Sequence, residues 1–144
     1  MYFWYTKHKV MSKLIPFFFL LLFVGFSNVK AQSKFTTGDN ELDNSIAVVT
    51  KYSRSNMVAF QDAIIGKYNI TNEQAQTYTA KLSGGDLLMV FEIASALNKT
   101  KEEITDFYTA NRVKKNWLEI IKELGIKDKA FETIKSKVVN NGIV

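Results

Sequence analysis

Between Tyr108 and Trp117 the chain reads Tyr-Thr-Ala-Asn-Arg-Val-Lys-Lys-Asn-Trp, which sets Arg112, Lys114 and Lys115 between two aromatic side chains. Cations beside aromatic faces bind phosphates, sugars or nucleic-acid bases, because charge and ring act on one ligand together. Tyr108, Arg112, Lys114, Lys115 and Trp117 are therefore the candidate binding residues. The competing reading is structural: cations at a helix end are ordinary, and a tryptophan in a helix belongs to a core.

A second set is acidic. Glu92 is the only charge after Asp86 in a long apolar segment, which is how a carboxylate with a raised pKa can look. It shares a thin polar line with Ser95 and Lys99, so a solvent-facing position is expected. Glu102 and Glu103 fall in the first turn of a helix, where negative charge complements the macrodipole. Gly84-Gly85-Asp86 suggests a phosphate loop, but no Gly-Lys-Ser/Thr follows and no strand precedes it. Ser83 to Asp86 is read instead as a turn that stops one helix and caps the next. Asn69-Ile-Thr71 and Asn98-Lys-Thr100 match the glycosylation acceptor pattern, but each threonine also opens a helix, and the match is read as coincidence.

Composition removes other chemistries. The chain has no cysteine, and its single histidine, His8, precedes the apolar run near the N-terminus. Downstream of that run there is no thiol nucleophile, no disulfide, no Cys or His metal site and no imidazole base. No metal, cofactor or catalytic residue is assigned.

Lys13 is followed by an unbroken apolar run from Leu14 to Phe26, 13 residues long, and then by Ser27-Asn-Val-Lys-Ala31. That length suits a signal h-region and falls short of the ~20 residues that span a bilayer. Residues 1–31 are read as a signal peptide cut between Ala31 and Gln32, and Met11 as the true start. The expected location is the periplasm or the extracellular space, with no membrane span after cleavage. Four of the 19 Lys and Arg (Lys7, Lys9, Lys13 and Lys30) lie upstream of the cut and none of the 14 Asp and Glu does, so the net charge drops from +5 to +1. A global basic character favouring nucleic acid is thereby lost, and no nucleic-acid partner is expected.

The elements that must position these residues are helical. The only proline, Pro16, is in the signal, and the downstream glycines punctuate apolar residues recurring at steps of three to five. Residues 32–40 read as a loose polar leader and 41–144 as one helical domain. Leu42 to Tyr68 carries one amphipathic face, broken near Ser53 to Ser55. Thr71-Asn-Glu-Gln74 and Thr100-Lys-Glu-Glu103 are capping boxes that open helices. Asp86 to Leu97 is apolar nearly all round and must be the central helix. Trp117 to Leu124 and a segment from Asp128 supply the last two. Helix ends at Tyr68, Leu97 and Leu124 are each followed by a short turn and a new start, a faint echo. The expected fold is all-α, a compact array of about six or seven short helices joined as hairpins.

Gly85-Asp86 opening an apolar helix, Met89, Ile93-Ala94, Lys99, Ile104, Tyr108, Trp117, Ile121-Lys-Glu-Leu-Gly-Ile126 and Phe131 form a recognisable set. Over residues 84–135 the chain resembles the C-terminal region of small secreted bacterial helical proteins of unknown function. The resemblance implies a secreted helical domain and assigns no activity. The expectation is an exported interaction or structural module that engages an envelope protein or glycan, not an enzyme. Two alternatives come from other classes. Residues 117–138 are similar to a helix-turn-helix with Gly125 in the turn. A hydrolase of envelope glycans would use two of Asp86, Glu92, Glu102 and Glu103.

Overall fold

A computed structural model describes residues 36–144. The expected signal peptide and the first four residues of the leader, 32–35, lie outside these residues. Among the described residues seven helices follow one another: α1 (Asn40–Ser55), α2 (Met57–Tyr68), α3 (Asn72–Lys81), α4 (Gly84–Leu97), α5 (Lys101–Asn111), α6 (Trp117–Glu123) and α7 (Asp128–Val139). Among the described residues there is no strand, and no helix is long and apolar enough to cross a membrane. The fold is an all-α compact array, as the periodicity predicts.

The helix starts are written in side-chain chemistry. Thr71 and Thr100 each accept the backbone N–H three residues on, while Gln74 and Glu103 reach back to the N-cap N–H. Asn116 and Glu119 form a third box at the start of α6. Each box satisfies two backbone donors that a helix start leaves free.

Three linkers share one geometry. After α2, α4 and α6 a single residue turns into the left-handed region, Asn69 at φ 49°, Asn98 at φ 52° and Gly125 at φ 69°. One further residue then leads to an extended N-cap: Thr71, Thr100 or Lys127. Asparagine and glycine are the residues that tolerate this turn. The Asn-x-Thr pattern is thus a helix stop and a helix start set two residues apart, and the echo in the sequence is a repeated linker.

The core is organised around α4. Its Leu87, Leu88, Met89, Val90, Phe91, Ile93 and Ala94 are all buried, beneath α1, α3, α5 and α7. Each large side chain so buried contributes roughly 1.5–3 kcal/mol. The start of α4 departs from the sequence expectation. Ser83 is the N-cap, but Gly84 and Gly85 are the first helical residues, not turn residues. They are glycines because α1 leaves no room for a side chain. A Cβ on Gly84 would lie 2.4 Å from Ser53 Oγ, and one on Gly85 would lie 2.3 Å from the Ile46 carbonyl oxygen.

The face expected to run from Leu42 to Tyr68 breaks at Asn56, which separates α1 from α2. Upstream, the end of the polar leader is tied down. The Thr36 hydroxyl donates to Asp43 Oδ2 (2.8 Å) and the Thr37 N–H and hydroxyl both donate to Oδ1 (2.8 Å each). The Leu118 N–H donates to the Thr36 carbonyl (3.1 Å), which joins this segment to α6.

Gly85→Ala should lower stability by about 1–3 kcal/mol or more, since the obstructing atom is backbone and cannot move aside as a side-chain end would. Gly66→Ala, at a helical position with nothing within 4 Å, should be neutral or stabilising by about 0.5–1 kcal/mol. Thermal unfolding of the two variants checks both signs. Acid should act through three carboxylates whose folded pKa is depressed. Lys135 and the Leu42 N–H hold Asp39 down, the Tyr78 hydroxyl holds Glu102 down, and the Thr100 N–H and hydroxyl hold Glu103 down. Their stabilisation is complete above the ordinary carboxylate range of about 4 and is lost as pH falls through the lower folded values. The melting temperature should therefore drop below about pH 4, and Asp39→Asn should make that drop shallower.

Candidate functional site

The structure splits the segment from Tyr108 to Trp117. Tyr108 is 1% exposed and Trp117 0%. Their rings stack on each other, with centroids 4.3 Å apart and planes 10° from parallel. The ligand platform expected from the sequence is therefore internal packing, because the two rings cover each other's faces inside the core. Arg112 ends α5 at the surface. Its guanidinium lies 5.9 Å from the Tyr108 ring centroid, and its Nη1 donates to the Lys81 carbonyl (3.3 Å). Lys115 is ion-paired with Glu123, and Lys114 is exposed. Tyr108, Arg112 and Trp117 thus come together, while Lys115 is turned to α6.

What they surround is Asp86, 7% exposed in the first turn of α4. The Trp117 indole N–H donates to its Oδ1 (3.0 Å) and the Ser83 hydroxyl to its Oδ2 (2.6 Å). Ser83 Oγ also accepts the Asp86 backbone N–H (3.3 Å) and lies 3.4 Å from Thr50 Oγ1. Thr50 in turn accepts the Gly85 N–H (3.1 Å). One polar chain thereby connects α1, the start of α4 and α6. The Tyr108 hydroxyl is buried beside this chain and makes no hydrogen bond among the described residues. Burial, and then the charge of Asp86, push its ionisation far above the ordinary phenol range.

Over this floor runs a groove of about 650 Å³. One wall is α1, which contributes Asp43, Ile46, Ala47, Thr50, Lys51, Arg54 and Ser55, and the other is formed by Ser83, Asp86 and Arg112. The α1 positions recur every three to four residues over three turns, so the trough is roughly 18 Å long. Its charges are unequally matched. Both carboxylates are occupied by neutral donors, Asp43 by Thr36 and Thr37 and Asp86 by Ser83 and Trp117. Among the described residues Lys51, Arg54 and Arg112 form no salt bridge with an acid. The signal that would have found Lys51 and Arg54 is a polar stripe beside the buried stripe of α1, Leu42, Ile46, Val49 and Ser53.

The remaining acids each have a partner of their own. Glu92, expected at the surface, is 5% exposed. The Tyr68 hydroxyl donates to its Oε1 (2.9 Å) and Lys137 Nζ lies 3.5 Å from its Oε2. The polar line of the sequence holds for Ser95 and Lys99, which are exposed, but α7 and Tyr68 cover the turn before them. Burial first, and then Glu92, drive the Tyr68 pKa far up, and burial lowers that of Lys67. Glu102 accepts the Tyr78 hydroxyl and lines a different groove, and Glu103 is spent on its capping box. Asp86 and Glu92 are six residues apart on α4, roughly 9 Å along the axis and on different faces. Among the described residues no three Asp or Glu cluster as metal ligands would. On α7, Lys135 is paired with Asp39 and Glu41 and Lys137 with Glu92, so both lysines have acidic partners within the chain.

Two substitutions at the floor should move stability in opposite directions. Trp117→Phe leaves a buried carboxylate oxygen short of a donor and should cost about 1–3 kcal/mol beyond the lost volume. Tyr108→Phe removes a hydroxyl that has no partner and should be neutral or stabilising. Chemical denaturation of both variants checks the contrast; a loss of more than about 1 kcal/mol in Tyr108→Phe would mean that the hydroxyl is hydrogen-bonded after all. Compared with known proteins, the chain matches no family, no curated protein and no solved structure.

Proposed function

We propose that this chain is an exported helical interaction module, not an enzyme, and that the groove along α1 is where it holds an anionic part of an envelope partner. The observation that carries the reading is a groove lined by three cations, Lys51, Arg54 and Arg112, none of them in a salt bridge among the described residues, against two carboxylates, Asp43 and Asp86. Charges left unmatched on a rigid wall are available to a ligand at little cost in reorganisation. Arg112 is held in place by the Lys81 carbonyl and the Tyr108 ring, so it is ordered before any ligand arrives.

Export is supported by the h-region from Leu14 to Phe26 and by Val29 and Ala31 before the cut. Against an enzyme stands the engagement of Asp86, Glu92, Glu102 and Glu103, each by its own structural partner. A glycosidase needs two carboxyl groups facing one bond, about 5–9.5 Å apart.

The exported product should begin at Gln32 on N-terminal sequencing. Immobilised, it should retain an envelope component that salt elutes, and Arg54→Glu with Arg112→Glu should reduce that retention by about tenfold or more. A matched reversal away from the groove, Lys122→Glu with Lys129→Glu, should leave retention within about twofold. Equal loss in both pairs would contradict the groove as the binding surface, and a hydrolytic activity abolished by Glu92→Gln would replace the module with an enzyme.

A further inference from the structure

We infer that the occupant of the α1 groove is an acidic segment of a partner polypeptide, lying lengthwise with its carboxylates on Arg54 and Arg112 and an aliphatic side chain on Ile46 and Ala47. This rests on the groove reading above and names the class of ligand.

Three features of the trough select that class. The first is its length: roughly 18 Å accommodates five or six extended residues or three helical turns, more than a single small anion needs. The second is the lining. Ile46 and Ala47 place an apolar strip between the polar ends, and no aromatic ring lines the groove. Tyr108 and Trp117, which could have stacked on a sugar ring, are stacked on each other beneath the floor. An aliphatic side chain finds a counterpart here and a sugar face does not. The third is the identity of the cations. Two of the three are arginines, whose planar forks match carboxylates bidentately, and arginine clusters are a recurring reader of acidic motifs. Residues 1–35 carry basic side chains and no Asp or Glu, so their sequence does not supply the acidic segment that the groove calls for.

The test uses protein produced from the full-length chain and two probes: a decapeptide with four glutamates and two leucines, and an oligogalacturonate with the same number of carboxylates. Affinity is measured by calorimetry, and the Trp117 indole N–H is followed by NMR as a reporter under the groove. The peptide should bind and shift the Trp117 signal, and its glutamine counterpart should bind about tenfold or more weakly. Arg54→Glu with Arg112→Glu should abolish the peptide-induced shift, and Arg54→Lys with Arg112→Lys should retain part of the affinity, which separates lost recognition from lost folding. Binding of the oligogalacturonate as tightly as the peptide, with the same arginine dependence, would overturn the polypeptide assignment and leave the groove reading standing. Self-association that the peptide fails to displace but that the arginine reversal dissolves would also overturn it, by making a second copy the occupant. If neither probe binds while envelope retention still depends on Arg54 and Arg112, the assignment falls alone; if both binding and that dependence are missing, the groove reading falls with it.

Discussion

The approach of α4 to α1 sets the position of nearly everything else. Two helices meet where Gly84 and Gly85 lie against Val49, Ile46 and Thr50, at distances that exclude any Cβ. Because the backbones come so close, Thr50 can accept the Gly85 N–H and stand next to the Ser83 cap. The cap fixes Asp86, Asp86 fixes the Trp117 indole, and Trp117 fixes the start of α6 and the ring of Tyr108. The groove above this chain has α1 as a wall only because α1 is that near. Its shape is therefore a consequence of two residues that have no side chains.

Much of this fold is legible in the sequence, for local reasons. Capping boxes, left-handed asparagines and an all-round apolar segment act over a few residues, so the starts at Thr71 and Thr100 and the central position of α4 can be read directly. What escapes is tertiary. Gly84 and Gly85 look like turn glycines until α1 is placed against them, and nothing within the tetrapeptide Ser-Gly-Gly-Asp announces a helix crossing. Glu92 looks solvated because its helical neighbours Ser95 and Lys99 are, while its cover comes from Tyr68, 24 residues before it, and Lys137 on α7. The segment from Tyr108 to Trp117 contains one residue of the groove, Arg112; its other cations, Lys51 and Arg54, are distant in sequence.

The placement of charge also separates support from recognition. Glu92, Glu103, Lys135 and Lys137 are consumed in holding helices to one another or capping them. Among the described residues Lys51, Arg54 and Arg112 have no acid as a salt-bridge partner, although Arg112 also donates to the Lys81 carbonyl. A surface module of this kind needs a rigid floor under unmatched charge, and the buried chain from Thr50 to Trp117 supplies one. The Tyr108 hydroxyl is the local exception, a buried donor without an acceptor beside a carboxylate whose oxygens already have partners. Unsatisfied groups in native structures concentrate where something other than stability constrains the packing.

If the contact between α1 and α4 carries this architecture, the Trp117 indole N–H is locked for as long as the core is intact. Native-state hydrogen exchange measures that directly. That architecture requires the indole proton to exchange only through global unfolding, with the same free energy as the slowest amides of α4. Exchange at the rate of an exposed tryptophan, while those amides stay protected, would contradict it.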